Sequence, residues 1–495
     1  MTKKFKKRLF FGLCLLFLIT SPSVIFYCLG YRVDFENMKI VQTGGFFFKI
    51  SPPGVTVNLD HTLRKKTNFF FDSAFINGLV PKNYEVTIKK TDYHPWVKTL
   101  KVEEQQVTEA KNIILFPQNP KFSLIDKNIK KFFPSPDGKE IILKIEDKTG
   151  WILNAFNIET QKQAKLVSEQ ELLLLIDDIK NNEISLLNLI WSNDSKRIIL
   201  EISTNGQKQY LVLKTGTETN LFILDAEIDI KKISFNPTKS EELFFIAPEP
   251  EEELTEDTEE DLRPKARKQA IFRLTNDAEQ IMLRISSPSF EQNIISYSII
   301  NNDIVWLADS GFLYLGQLVN SNKIQLNKIL NIQPINIHEE TNYQIITKDF
   351  SKIFLKQDET LYYLNSETHL LEQIFNSVKT VKFSEDLKKI IISTNDQIWL
   401  YYIEEEYEQP QRKIGEKILL AGFPNEVNNL FWLNNFYIIF QIKDSIKIAE
   451  IDDRSNINLI ELTTFPSPSI SWLEKEKTFF VLSKNNLYFS SDILK

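Results

Sequence analysis

The fold is decided by a turn-and-strand unit that the chain repeats. It reads Phe133-Pro134-Ser135-Pro136-Asp137-Gly138-Lys139-Glu140-Ile141-Ile142-Leu143 and returns as Trp191-Ser192-Asn193-Asp194-Ser195-Lys196-Arg197-Ile198-Ile199-Leu200. Proline fixes φ and glycine supplies a positive φ, so the polar part of the unit predicts a tight reversal before a strand. Further copies are Phe235-Asn236-Pro237-Thr238-Lys239, Phe383-Ser384-Glu385-Asp386-Leu387-Lys388, Trp432-Leu433-Asn434-Asn435 and Trp472-Leu473-Glu474-Lys475.

A second element, an aromatic or apolar strand, occurs eight times in all and follows every one of the six turns. The eight segments start at Trp151, Tyr210, Ile271, Phe312, Leu361, Ile398, Ile446 and Leu487. Trp191 and Phe235 are 44 residues apart, and Trp432 and Trp472 are 40 apart, which is close to the ~40–50 residues of a four-stranded propeller blade. Blades stacked around a ring bury both faces of each sheet.

The pattern therefore predicts an all-β chain whose residues 119–495 form a β-propeller of about eight blades. Seven blades is the alternative count, because the copies between 286 and 375 lack the turn motif. The last unit, Ile470 to Ile493, is short of a strand, and Phe122-Ser123-Leu124-Ile125 is predicted to supply it. An open or sandwich-like array of strands is the rival architecture.

The Ser-Pro-Asp-Gly-Lys turn before an apolar strand resembles the propellers of the WD40-like and periplasmic TolB type. The resemblance implies the fold and leaves the function open, because one fold hosts many functions.

The N-terminus combines a basic tail with a long uncharged run. Lys3, Lys4, Lys6, Lys7 and Arg8 precede the apolar run from Leu9 to Tyr31, and a helix of this length reaches across a bilayer core of ~30 Å. Positive charge on one side predicts a cytoplasmic tail at 1–8, a single transmembrane helix at 9–31, a linker at 32–43 and an extracytoplasmic remainder. A cleaved signal peptide is the alternative, although no Ala-x-Ala site follows the apolar run.

Residues 44–118 predict a small β-sandwich. Val55 to Leu59 and Tyr84 to Lys89 alternate with period two, as half-buried strands do. The segment resembles the PEGA domain through Ser51-Pro52-Pro53-Gly54-Val55, Leu79-Val80-Pro81-Lys82-Asn83-Tyr84-Glu85-Val86 and Asp92-Tyr93-His94-Pro95-Trp96. It departs where the Glu-Gly-Ala of the family is Pro53-Gly54-Val55 and where the usual Pro-Gly before the tyrosine is Pro81-Lys82-Asn83. The resemblance implies an envelope location and no reaction.

Two features are candidates for ligand or partner contact. Tyr93 and Trp96 fit a sugar-stacking platform, with the alternative that they plug the open end of the sandwich. The acidic insertion at 249–268 carries nine carboxylates between Glu249 and Asp261. It reads either as a cation-binding or partner-docking loop, or as a self-repelling loop inserted in one blade.

The remaining residue types argue against several classes of protein. Cys14 and Cys28 both lie in the apolar N-terminal run, the four histidines are dispersed, and phosphate-cradling and hydrolase motifs are absent. The sequence thus predicts no catalytic residue, no cofactor and no metal site. A net charge of −7 argues against nucleic acid as a partner.

The leading hypothesis is a membrane-anchored, extracytoplasmic binding or scaffold protein of the cell envelope. Its propeller would present a face to a protein or glycan. The alternatives are an envelope hydrolase acting at the propeller mouth and a structural component of a surface layer.

Overall fold

The N-terminal run forms one long helix followed by a short hairpin. A computed structural model of the chain describes residues 3–34, 38–67, 72–176, 183–216, 221–224, 228–249, 268–275, 281–284, 293–320 and 323–494. Helix α1 covers Lys3–Cys28, and its segment Phe5–Cys28 is long and apolar enough to cross a membrane, a description that a signal sequence also meets. Strands β1 (Tyr31–Asp34) and β2 (Lys39–Gln42) then pair in a two-stranded sheet. The predicted linker thus contains a hairpin, because Val33 and Ile40 pair across it.

Residues 44–118, which we call the small unit, contain two facing sheets. One has the order β5-β4-β7-β8 and the other the order β6-β3-β9, in which β3 and β9 are parallel. Buried side chains from Phe46 to Leu115 fill the space between the sheets. The division of the chain into domains at 44–118 and 119–495 stays a prediction. The strands are β3 (Gly44–Ser51), β4 (Thr56–Leu59), β5 (Thr62–Lys66), β6 (Ser73–Leu79), β7 (Asn83–Lys89), β8 (Trp96–Lys101) and β9 (Val107–Ile114).

The rest of the chain forms eight antiparallel sheets of four strands each. Strand β10 (Ser123–Lys127) precedes the first of them. Blade 1 has β11 (Ile129–Pro134), β12 (Glu140–Asp147), β13 (Gly150–Asn157) and β14 (Lys162–Ser168), and helix α2 (Glu169–Leu175) follows it. Blade 2 has β15 (Ile184–Trp191), β16 (Arg197–Thr204), β17 (Gln207–Lys214) and β18 (Leu221–Ile223). Blade 3 has β19 (Lys232–Phe235), β20 (Glu242–Pro248), β21 (Gln269–Thr275) and β22 (Ile281–Arg284).

The second half of the propeller repeats this plan. Blade 4 has β23 (Ile294–Ile300), β24 (Asp303–Ala308), β25 (Leu313–Asn320) and β26 (Lys323–Ile329). Blade 5 has β27 (Tyr343–Ile346), β28 (Phe354–Gln357), β29 (Thr360–Leu364) and β30 (Leu371–Phe375). Blade 6 has β31 (Thr380–Phe383), β32 (Lys389–Ser393), β33 (Gln397–Tyr402) and β34 (Lys417–Gly422). Blade 7 has β35 (Val427–Asn434), β36 (Tyr437–Ile442), β37 (Ser445–Glu450) and β38 (Leu459–Thr464).

The last blade borrows a strand from the beginning of the propeller. Its own strands are β39 (Ser469–Leu473), β40 (Thr478–Ser483) and β41 (Asn486–Ser490), and β10 pairs with β41 as the fourth. The register places Ser123 opposite Phe489 and Lys127 opposite Asn486. The structure confirms the all-β propeller of eight blades, and it confirms that the segment after residue 122 supplies the fourth strand of the last blade.

Apolar side chains close the ring between every pair of neighbouring blades. Each of the eight junctions has its own cluster of buried residues. At the junction of the last blade with the first, Ile141 and Leu143 pack with Phe480 and Leu487. First strands of neighbouring blades also contact each other, as β31 does with β35, so they surround the axis of the ring.

The repeated turn joins the first and second strands in the same way in blades 1, 2 and 6. Its serine hydroxyl donates to its aspartate, at 2.7 Å for Ser135 to Asp137 and 2.7 Å for Ser192 to Asp194. The residue after the aspartate has a positive φ, which is 70° at Gly138, 60° at Ser195 and 56° at Leu387. The turns also touch across blades, since Asp137 N donates to Ser195 Oγ at 3.1 Å.

Alternating strand directions give the propeller two distinct faces. The turns between first and second strands and the loops between third and fourth strands lie on one face, which we call the docking face. The turns between second and third strands lie on the opposite face, with the links between blades. The acidic insertion belongs to a turn of the opposite face, between β20 and β21, where Glu249 N donates to Lys268 O at 2.8 Å. Its residues 250–267 lie outside the described part of the chain.

Candidate functional site

The small unit contacts the docking face of the propeller through strand β8. This strand is the edge of its sheet, so its outward N–H groups need acceptors from elsewhere. Val97 N donates to Asn458 Oδ1 at 3.2 Å, and Thr99 N donates to Ser455 Oγ at 3.1 Å. Both acceptors belong to the loop between the third and fourth strands of blade 7.

Strand β9, the edge of the second sheet, is covered in a similar way. Gln409 in the corresponding loop of blade 6 accepts from Glu109 N at 2.9 Å and donates to Val107 O at 3.3 Å. Arg454 Nη1 donates to Glu109 O at 2.9 Å. We call this contact of β8 and β9 with the loops of blades 6 and 7 the seam.

A buried ion pair lies at the centre of the seam. Lys98 Nζ is 2.5 Å from Glu450 Oε1, and the exposed fractions of the two side chains are 0% and 5%. The same ammonium donates to Asp452 O at 2.5 Å. Trp96 Nε1 donates to Glu450 Oε2 at 2.8 Å, and Asn458 Nδ2 donates to Glu450 Oε1 at 2.7 Å. Every charge in this group therefore has a partner.

Burial raises the pKa of the two seam carboxylates, Glu450 and Asp452, and nearby positive charge lowers it. Burial raises the pKa of Glu450 above its ordinary value, while the positive charge of Lys98 opposes that rise. At Asp452 burial also acts upward, but the hydrogen bond from Arg454 and the charge of Lys98 outweigh it and lower the pKa. Because a buried charge without a partner is costly, the ion pair ties the stability of each side of the seam to the other.

A small cavity lies between the two sides of the seam. Its volume is about 80 Å³, which is room for a few water molecules and less than a typical ligand pocket of ~300 Å³ or more. A seam with so little free space is suited to attaching the small unit to the propeller. The lining includes Trp96, Lys111, Lys389, Tyr402, Phe436 and Tyr437.

The two predicted contact residues have different surroundings. Trp96 is only 3% exposed and bonds Glu450 across the seam. Tyr93 is partly buried against the core of the small unit, pairs with Pro117, and has the Lys90 ammonium 5.2 Å from its ring centroid. The structure does not bring the two residues to a common open pocket among the described residues. A ligand or external partner for either residue stays a prediction.

The seam residues Lys98, Gln409, Glu450 and Arg454 were not singled out from the sequence. One signal was present, because Trp96, Lys98 and Leu100 are in phase and all three are buried. A lysine in the apolar phase of a strand indicates a buried partner. That partner is 352 positions away along the chain, and no local pattern connects the two.

The opposite face carries a shallow polar groove across blades 5, 6 and 7. Its volume is about 750 Å³. Among the described residues, none bonds the side chains of Ser377, Asn395 or Asn425, which leaves hydroxyl and amide groups open to a polar ligand. The groove is lined by Asn376, Ser377, Thr394, Asn395, Asp396, Gln397, Pro424, Asn425 and Glu426. In the part of the chain that the structure describes, no three metal-ligating side chains gather.

The solved structures to which this chain is similar include β-propellers. The chain is similar to the β-propeller domain of Cps50 (Swd1) from Myceliophteria thermophila, with 12% identity, a TM-score of 0.36, and coverage of 75% of this chain and 99% of that one. YCF48 from Cyanidioschyzon merolae gives 11% identity and a TM-score of 0.37 over 62% and 95% of the two chains. A prolyl endopeptidase has 11% sequence identity to this chain and a TM-score of 0.40. The match covers 73% of this chain and 55% of the endopeptidase.

These likenesses are too distant to carry function, so the fold assignment rests on the strand topology described above. No family model matches the chain, and no curated protein matches it. The resemblance of the small unit to the PEGA family therefore has no support from a family match. The fold and the seam define the class: a β-propeller protein with an apolar N-terminal helix and a small β unit attached to one face.

Proposed function

We propose that this chain is a membrane-anchored scaffold whose propeller binds a partner through the face opposite the small unit. The observation that carries the proposal is the seam, where the buried Lys98–Glu450 pair attaches the small unit to the docking face. The small unit follows helix α1 after the short β1–β2 hairpin, so a fixed seam would restrict the orientation of the propeller relative to the membrane. The opposite face would then be the one presented to a partner.

The finer parts of the proposal concern location and partner. The basic tail before α1 supports a cytoplasmic N-terminus and an extracytoplasmic propeller, and the PEGA-like motifs of the small unit support the cell envelope. The amide and hydroxyl groups of the groove at 376–426 suit a glycan or a polar protein segment. A hydrolase at the propeller mouth and a surface-layer component are the alternative functions.

Photo-crosslinking in native membranes tests the proposal. A photoreactive amino acid replaces Asp396, which is an exposed residue of the groove, or Lys196, which is an exposed residue of a turn on the docking face. We expect one dominant adduct from position 396 and none from position 196. Sensitivity of that adduct to protease or to glycosidase identifies the class of partner. Equal adducts from both positions, or none from 396, would refute binding through the opposite face.

A further inference from the structure

The hairpin β1–β2 exposes an apolar face directly after helix α1. Val33 and Ile40 are directly opposed partners in the hairpin, so their side chains lie on the same face. Val33 is 48% exposed, Ile40 is 71% exposed, and Met38, which directly precedes β2, is 81% exposed. No third strand joins the hairpin among the residues that the structure describes, and an isolated two-stranded hairpin is marginally stable in water. The apolar face of the β1–β2 hairpin therefore requires a second apolar surface to pack against.

Several contacts fasten the hairpin to the last turn of the helix. Arg32 Nη1 donates to Tyr27 O at 2.9 Å, and the guanidinium lies 3.5 Å from the centroid of the Tyr27 ring. The rings of Phe26 and Tyr31 meet edge to face at 5.4 Å. Thr43 N donates to Gly30 O at 2.9 Å at the base of the hairpin. The hairpin thus cannot move far from the end of α1.

The nearest large apolar surface at the end of a membrane-spanning helix is the bilayer itself. Val33 is five residues beyond Cys28, which is at most ~17 Å of extended chain. Tyrosine and arginine at the end of a span are typical of the membrane–water interface, where the ring and the alkyl stem stay apolar and the polar group reaches water. Arg32 and Lys39 are balanced in charge by Asp34 and Glu36 of the same segment, so the apolar and aromatic side chains, and not attraction to anionic headgroups, favour the bilayer surface.

We propose that the β1–β2 hairpin lies on the surface of the membrane that α1 spans and inserts Val33, Met38 and Ile40 at the boundary of headgroups and acyl chains. The inference rests on the proposed membrane anchor and adds a second, interfacial contact to it. This contact would hold the small unit close to the membrane and restrict its rotation about the helix axis.

Depth-dependent quenching in nanodiscs of phosphatidylcholine and phosphatidylglycerol tests the inference on the full chain. Three single-cysteine variants carry an environment-sensitive fluorophore: native Cys28 in the Cys14→Ala background, and Ile40→Cys or Lys162→Cys in the background with both native cysteines replaced by alanine. Lys162 is an exposed propeller residue at the start of β14 and is the aqueous control. Met38→Cys repeats the measurement if Ile40→Cys disturbs the hairpin.

We expect quenching by a lipid labelled near its headgroup to be at least about twofold stronger at position 40 than at position 162, as for a segment buried ~5–10 Å into the interface. Quenching at Cys28 with position 40 equal to position 162 would overturn the hairpin contact and leave the anchor standing. An unquenched Cys28 would overturn the anchor and the hairpin contact together. A fluorescence change at position 40 that depends on protein density and not on the quencher would assign the apolar face to a second copy of the chain.

Discussion

Replacing Lys98 by methionine keeps most of the side-chain volume and removes the charge that faces Glu450. The carboxylate of Glu450, 5% exposed, would keep its bonds from Trp96 and Asn458 but lose its counter-charge. Removing one partner of a buried ion pair costs about 3–5 kcal/mol. We expect Lys98→Met to lower the free energy of unfolding by an amount in that range. Glu450→Gln should cost less, because Lys98 keeps the Asp452 carbonyl at 2.5 Å and the Asp452 carboxylate at 3.7 Å.

The pH dependence of the Lys98→Met variant gives this prediction a second readout. Burial already raises the pKa of Glu450, and Lys98 opposes the rise, so removal of Lys98 should raise the pKa of Glu450 further. Above the ordinary pKa of a glutamate, the unfolded chain has released the proton of Glu450 while the folded variant still holds it. The free energy of unfolding therefore falls as pH rises. The loss in Lys98→Met should therefore be smaller near pH 5 than near pH 8.

Denaturant unfolding of the full chain in detergent, followed by tryptophan fluorescence, measures both effects. The two single variants and the double variant Lys98→Met/Glu450→Gln form a thermodynamic cycle, and contacting residues couple by about 0.5–3 kcal/mol. The double variant should be more stable than the sum of the two single losses implies. Single losses below about 0.5 kcal/mol that simply add would refute the view that this pair holds the seam.

Four further predictions concern the propeller. Asp194→Ala removes the acceptor of Ser192 and Ser240 and should lower stability by about 1–2 kcal/mol, whereas Glu385→Ala at an exposed turn position should have little effect, as thermal unfolding would show. Deleting residues 119–127 removes the closing strand β10 and should abolish the single cooperative transition seen by calorimetry; a cooperative deletion variant would argue against a closed ring. Burial lowers the pKa of Lys232 to about 8, so stability should rise between pH 8 and pH 10, and Lys232→Met should flatten that slope in denaturant titrations. Replacing residues 250–262 by a short Gly/Ser linker should leave folding intact, and calorimetry should find no saturable calcium site that the replacement removes.

The propeller could be predicted from the sequence because the conformation of its repeated turn is set by residues within the turn itself. The positive φ after the aspartate is marked by glycine at position 138, but Ser195 and Leu387 adopt the same conformation, so the glycine alone would have missed two copies. The aspartate and serine were the better signal, since they bond each other and the backbone in each of the three turns. Blades 4 and 5 lack this turn, which left seven blades as an alternative; the aromatic third strands at Leu313 and Leu361 favoured eight, and the eight four-stranded sheets settle the count.

The seam could not be predicted, because it depends on residues that meet only after the ring has closed. Gln409 and Arg454 lie in loops with no repeated pattern, and their partners are backbone groups of strand β9. The ring of Trp96 suggests a stacking platform for a ligand, yet the indole N–H of Trp96 donates to Glu450 within the protein. An aromatic residue that is exposed to bind a ligand looks the same in the sequence as one that is buried between two parts of the protein. Only the tertiary contacts distinguish the two.

Disulfide trapping across the seam tests the central claim that the small unit is fixed to the docking face. The 3.1 Å bond from Thr99 N to Ser455 Oγ brings the two Cα atoms within about 7 Å, at the limit of what a disulfide spans. With Cys14 and Cys28 replaced, the pair Thr99→Cys/Ser455→Cys should form an intrachain disulfide rapidly in native membranes under mild oxidation. The pair Thr99→Cys/Lys443→Cys, with its second cysteine in the turn between β36 and β37 on the opposite face of the same blade, should not. Equal trapping of both pairs, or none at 99 and 455, would contradict the fixed seam.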